Sequence, residues 1–82
     1  MLEDKERTFT VRYFYISPDG RGVDVARLGI SRQVSALPLP EFASELSREG
    51  FLDKNAGHVW WVAPGAILSV EETDERGYPR KR

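Results

Sequence analysis

The chain has 82 residues, no cysteine and a formal net charge of −1, with 40% of its residues hydrophobic and 30% charged. That is the length and composition of one small globular domain. The lack of cysteine excludes disulfides, thiol nucleophiles and thiolate metal sites, and it fits a reducing, cytoplasmic setting.

Residues 1–7, MLEDKER, are charged and have no apolar run, so they read as a flexible leading segment, neither a signal peptide nor a membrane anchor. Periodicity begins at TFTVRYFYI, residues 8–16. Phe9, Val11, Tyr13 and Tyr15 share one face of a strand; Thr8, Thr10, Arg12, Phe14 and Ile16 share the other, polar at first and apolar at its end. SPDGRG follows as a turn, with Pro18 presetting φ and Gly20 or Gly22 free to take positive φ. VDVARLGI, residues 23–30, reads as the returning strand of an antiparallel hairpin, with Gly29 at a bulge.

QVSAL is either a short third strand or an extended lead-in, because Pro38 and Pro40 bar it from a central position. Leu39, Phe42, Ala43 and Leu46 then recur at helical spacing, Pro40 suits a first turn and Gly50 suits a C-terminal cap. The pattern predicts a helix over residues 40–49, with Glu41, Glu45 and Glu49 on its solvent side. Phe51 and Leu52 fold back onto the core, and DKNAG makes a turn. Residues 58–63 and 66–72 form a last pair of strands joined through Pro64-Gly65, with Ile67 facing one way and Ala66, Leu68 and Val70 the other. Residues 74–82 lack periodicity and read as a mobile basic tail.

Residues 8–73 are thus the single folded domain. The expected class is α+β: a small antiparallel sheet of four or five strands with one helix on one face, in the order ββ(β)αββ, or the same strands curled into a partly open barrel.

No constellation for catalysis is visible. His58 is the sole histidine and lies in no metal-ligand spacing, and the serines at 31, 35, 44, 47 and 69 sit in no strand-turn-helix elbow. Glu71-Glu72 and Asp74-Glu75 are sequence neighbours, not carboxylates converging from separate elements. PDGRG lacks the Lys-Ser/Thr of a phosphate loop and leads into a strand. No catalytic residue, no metal and no cofactor is expected, and the chain reads as a non-enzyme.

Three short patterns resemble known families. WW followed by APGAILSVEE is similar to the Trp-Trp strand and final turn of SH3 domains, without their Ala-Leu-Tyr-Asp-Tyr opening. The order of helix, Gly-Phe, strand and an Ile-x-x-Val strand resembles the end of a LytTR-type DNA-binding domain in pattern, not in motif residues. Tyr13, Phe14 and Tyr15 beside Arg12 resemble the aromatic platforms of single-strand binders. None supplies a family assignment.

Charge and aromatic placement point to association. Residues 8–32 carry Arg12, Arg21, Arg27 and Arg32 against Asp19 and Asp24. Residues 33–75 carry Arg48 and Lys54 against a surplus of acids, and Arg76, Arg80, Lys81 and Arg82 follow. Trp60 and Trp61 are adjacent on a strand and so point to opposite faces. One helix covers one face of a sheet. Phe14, Ile16 and one of the two tryptophans therefore call for other cover: barrel closure, a second copy of the chain, or another protein. The expected protein-binding residues are Trp60, Trp61, Phe14, Ile16 and Arg12, with Trp61 placed inside beside Val59 and Ala63.

The expected function is a small protein-binding module, a regulator or inhibitor of a larger complex of the phage or mobile-element type, whose partner is another protein or a second copy in a homodimer. The alternative is a nucleic-acid-binding accessory domain that uses Arg21, Arg27, Arg32, Arg80, Lys81 and Arg82. No membrane partner is expected.

Overall fold

A computed structural model describes residues 6–55 and 58–79. The elements are β1 (Arg7–Pro18), β2 (Asp24–Ser35), α1 (Leu39–Glu49), β3 (Phe51–Asn55), β4 (His58–Val62), a 3₁₀ turn (Pro64–Ala66) and β5 (Ile67–Thr73). The class is α+β as expected, but the strands form two antiparallel sheets, β2-β1-β5 and β3-β4, instead of one sheet of four or five, and they do not close into a barrel.

The reason lies at two joints. Phe51 folds onto the core as expected, but Leu52 is exposed, and residues 53–55, expected in a turn, continue a strand that pairs with β4. After β4, Pro64-Gly65 does not make a hairpin. Ala66 N–H donates to the Ala63 carbonyl at 3.0 Å, and this 3₁₀ turn redirects the chain so that β5 pairs with β1.

The β1–β2 hairpin is continuous through Arg7 opposite Ser35, so the QVS segment extends β2 and is no third strand. Its turn is built on Asp19. The Asp19 carboxylate accepts N–H bonds from Arg21 at 2.7 Å and Val23 at 3.3 Å, while Gly20 and Gly22 take φ of 92° and 88°. Gly29 makes no bulge; it sits in register opposite Tyr13, whose ring lies over it. A Cβ at Gly29 would stand 2.4 Å from Tyr13 Cζ, so the missing side chain is the space the ring occupies.

The bulge occurs between β1 and β5, where Arg12 pairs with Ser69 and Tyr13 with Ile67, leaving Leu68 as the extra residue. This resets the alternation. Ile67 and Val70 both pack on the core, where strict period-two reading puts them on opposite faces.

Phe9, Val11 and Tyr13 on the inner face of β1 are buried with Phe42 and Leu46 of α1, Phe51 of β3 and Val62 of β4. The Phe9 and Phe42 rings pack at 4.4 Å between centroids, and Tyr13 meets Phe51 edge-on at 5.7 Å. Helix α1 starts after Pro38, whose carbonyl accepts the Phe42 N–H at 2.9 Å, and ends at Gly50, whose N–H caps the Leu46 carbonyl at 2.9 Å. Gly50 has φ of 70°, and a Cβ there would meet the Val62 carbonyl oxygen at 2.2 Å.

Within the expected tail, residues 74–79 form a hydrogen-bonded turn. The Asp74 carboxylate accepts the Arg76 and Tyr78 N–H groups at 2.8 and 3.0 Å, and Pro79 bridges back to Thr73. The Tyr78 N–H holds the Asp74 carboxyl below the usual carboxylate range. Residues 1–5 and 80–82 lie outside the described residues. Among the described residues no helix is long and apolar enough to cross a membrane.

This packing sets a stability pattern. Phe42→Ala and Leu46→Ala are expected to cost ~2–5 kcal/mol each. Gly29→Ala is expected to cost ~1–3 kcal/mol through overpacking against Tyr13. Glu45→Ala should change little; denaturant unfolding of the four variants checks the order.

Candidate binding surface

The surface follows from a mismatch in strand length. β1 pairs with β5 only from Thr8 to Tyr13, whereas β1 and β2 are each 12 residues long. Beyond Tyr13 the two strands continue as an arm with no third neighbour. At about 3.3 Å per residue a strand of this length spans roughly 40 Å, most of the longest dimension of a molecule measuring 56 × 26 × 23 Å.

Register decides what the arm displays. On the outer face Phe14 lies opposite Leu28, Ile16 opposite Ala26, and Arg12 opposite Ile30. Phe14 is 40% exposed, Ile16 57% and Leu28 59%, and Ile30 and the bulged Leu68 are also exposed. Neither α1 nor the β3–β4 hairpin reaches this face, because both pack on the opposite side of the sheet. Arg12 is half-buried and its guanidinium meets the Glu71 carboxylate at 3.5 Å.

The inner face of the arm is partly roofed by β4. Tyr15 and Trp60 lie 6.3 Å apart between ring centroids. Trp60 shares its face with buried Val62, whereas Trp61 is 59% exposed and shares the outer face with Val59. The expectation of Trp61 inside is therefore reversed. Trp61 still has a partner: its indole N–H donates to the Glu49 carbonyl at 2.9 Å, one of the acceptors that a helix C-terminus leaves open. Cross-strand pairing sets it beside exposed Leu52, so the β3–β4 hairpin displays a second, smaller apolar group of Leu52, Val59 and Trp61.

The five expected protein-binding residues thus divide. Phe14, Ile16 and Arg12 share the outer face of the main sheet, Trp60 lies against Tyr15 on the inner side but stays 36% exposed, and Trp61 lies on the outside of the small hairpin. Leu28, Ile30 and Leu68 were not singled out from sequence. The first two carry a signal in hindsight, since VDVARLGI alternates and its even-numbered members become the neighbours of Phe14 and Ile16 once the turn length is known. Leu68 has no such signal, because it is displayed by a bulge.

The arginines do not form one patch. Arg21 is in the turn; Arg27 donates to Ser17 Oγ at 2.8 Å; Arg32 lies five positions further along the strand, on the opposite face, and donates to the Arg76 carbonyl at 3.1 Å. Arg76 stands 5.8 Å from the centroid of the Tyr78 ring. Arg80, Lys81 and Arg82 lie outside the described residues.

One buried polar cluster fixes the two sheets to each other. Asp53 of β3 is 2% exposed. Its carboxyl group accepts hydrogen bonds from the Tyr13 hydroxyl and, at 2.9 Å, from the Ser31 hydroxyl, and Gln33 Nε2 donates to Ser31 Oγ at 2.8 Å. Burial above all, then the hydrogen bond and the charge of Asp53, pushes the Tyr13 hydroxyl far above its ordinary range, and the Trp60 side chain acts weakly the other way. Among the described residues no three His, Asp or Glu side chains group as metal ligands. Comparison with protein-family models, curated proteins and solved structures finds no match to this chain.

Two outcomes follow from these contacts. A phenol whose folded pKa is raised stabilises the fold fully below its unfolded value of about 10, and that stabilisation is lost as pH climbs toward the folded value. Unfolding free energy should therefore fall above about pH 10 in the parent, and Tyr13→Phe, though less stable at neutral pH, should show a shallower fall in denaturant titrations at stepped pH. Trp60→Ala should cost about 3 kcal/mol, the low end for removing a large ring. Trp61→Ala should cost about 1 kcal/mol, the scale of its hydrogen bond, and equilibrium unfolding of the pair tests the assignment.

Proposed function

We propose that this chain is a non-enzymatic protein-binding module of the cytoplasm, and that it regulates or inhibits a larger assembly of the phage or mobile-element type. The observation that carries the reading is the uncovered outer face of the β1–β2 arm, where Phe14, Leu28, Ile16 and Ile30 form a continuous apolar stripe beside Arg12. A two-stranded hairpin is marginal in water by itself, and apolar stripes of this kind on small domains mark interfaces. Aromatic and arginine side chains at the same place are the composition of binding hot spots. The partner that covers the stripe is another protein, with a second copy of the chain as the alternative occupant.

Nucleic-acid binding is the second reading. The feature that favours it is the Arg32–Arg76–Tyr78 group, in which two cations and an exposed ring lie together next to the Arg80-Lys81-Arg82 end of the sequence. The two readings separate by salt. Affinity for nucleic acid falls steeply with ionic strength, and an apolar protein interface does not.

To test the leading reading, a photo-crosslinking residue is placed at Ile16, the captured protein is identified, and its affinity is measured for the parent, Ile16→Asp and Leu28→Asp. Each variant is expected to weaken capture by ~2 kcal/mol or more while unfolding like the parent. Light scattering across protein concentration separates a second copy from a different partner. Crosslinks confined to nucleic acid, or unchanged affinity in both variants, would exclude the arm as the protein-binding face.

A further inference from the structure

The β2 and β3 strands each have a hydrogen-bonded neighbour on one side only, β1 and β4 respectively. Their other edges face each other across a groove of about 410 Å³, formed by residues 30–34 of β2 and 52–54 of β3. Its floor is the closed Asp53 cluster, whose carboxyl oxygens are already held by Tyr13 and Ser31. The hydrogen bonds that join its walls come from side chains, Ser31 Oγ to the Asp53 carboxylate at 2.9 Å and Gln33 Nε2 to the Leu52 carbonyl at 3.3 Å, where a sheet would supply backbone N–H groups. Two unpaired strand edges flanking one slot are the setting for strand addition by an extended peptide.

The side chains along the slot define the occupant. Ile30, Arg32 and Val34 alternate onto one face of β2, so a strand laid beside them sets every second residue against apolar, cationic and apolar neighbours in turn. Leu52 and Lys54 repeat the apolar and cationic pair from β3. Neither Arg32 nor Lys54 forms an ion pair among the described residues, although the Arg32 guanidinium also donates to the Arg76 carbonyl at 3.1 Å. We propose that this groove binds an extended acidic segment of a partner protein, with the pattern apolar-x-acid-x-apolar, as an added strand between β2 and β3. The proposal rests on the protein-binding reading; the slot shares Ile30 with the arm stripe but not Phe14, Ile16 or Leu28.

The probe is the short synthetic peptide acetyl-TVTETVT-amide, with acetyl-TVTKTVT-amide and a short oligothymidylate as comparisons, titrated into the full chain and followed by amide NMR and hydrogen exchange. The glutamate peptide is expected to shift the amides of residues 30–34 and 52–54 and to slow their exchange. Arg32→Glu is expected to weaken it about tenfold or more, the scale of a lost charge contact, and to reverse the preference in favour of the lysine peptide. Lys54→Glu, at an exposed site in another strand, repeats the test should Arg32→Glu unfold.

Equal binding of both peptides, no preference reversal in a folded variant, or no binding of the glutamate peptide overturns the proposal. Shifts confined to Phe14, Ile16 and Leu28 overturn it and leave the arm reading standing. Shifts of the groove amides by oligothymidylate alone overturn it and assign the slot to nucleic acid instead.

Discussion

A carboxyl group taken out of water has to find hydrogen-bond donors, and at Asp53 it finds two hydroxyls from the neighbouring sheet. Among the described residues no other hydrogen bond joins the β3–β4 hairpin to β1 and β2 so deeply. The Tyr13 hydroxyl reaches Asp53 because its ring lies over Gly29, and Ser31 is aimed there because it is two residues further along the same face of β2. The position of β4 follows from that attachment, and with it the placement of Trp60 against Tyr15. Apolar contact between Phe51, Val62 and Tyr13 supplies the larger share of the burial, but apolar contact alone does not choose a register.

With the hairpin held at this distance, both surfaces described above come into being. The inner face of the main sheet is closed by α1 and by β3–β4; on the outer face Thr10 and Thr73 are buried and hydrogen-bonded to each other beside the 74–79 turn, and the arm beyond Tyr13 is left uncovered. The gap between β2 and β3 stays open because the Asp53 cluster spans it below and the Gln33 side chain spans it above, neither of which is a strand pairing. The apolar arm and the slot are thus consequences of the same economy in a chain of 82 residues: it has one helix and one short hairpin with which to cover a sheet of long strands.

The parts readable from sequence are those governed by local rules. The period-two pattern through Phe9, Val11 and Tyr13, the Asp-Gly turn and the helical spacing of Phe42 and Leu46 each reflect a preference set within a few residues, and each lies where the pattern puts it. The misreadings arise where distant groups decide. A glycine in a strand usually marks a bulge, while the role of Gly29 is to accept the Tyr13 ring from the next strand. The alternation of β5 departs from period two because the bulge at Leu68 depends on pairing with β1. Asp53 stood among residues expected to turn, and its burial cannot be foreseen without knowing that two hydroxyls converge on it. Of the candidate site, Phe14 and Ile16 were legible as apolar residues on the less covered face; their partners across the strand were not, since register comes from the turn.

The pairing of β1 with β5 also closes the longest loop in the sheet. Arg7 and Glu72, which meet in this pairing, are 65 positions apart, whereas β1–β2 and β3–β4 close through short loops. Local hairpins form on the microsecond scale, and contacts between distant strands carry the larger loop-closure cost and come late. Until Ile67–Thr73 arrives, the central strand of the finished sheet is an edge, with the inner residues Phe9 and Val11 also uncovered. A chain in which β5 is not yet paired would expose that edge, and the Arg7 and Arg12 side chains, which meet Glu72 and Glu71 in the finished sheet, would set charge along it.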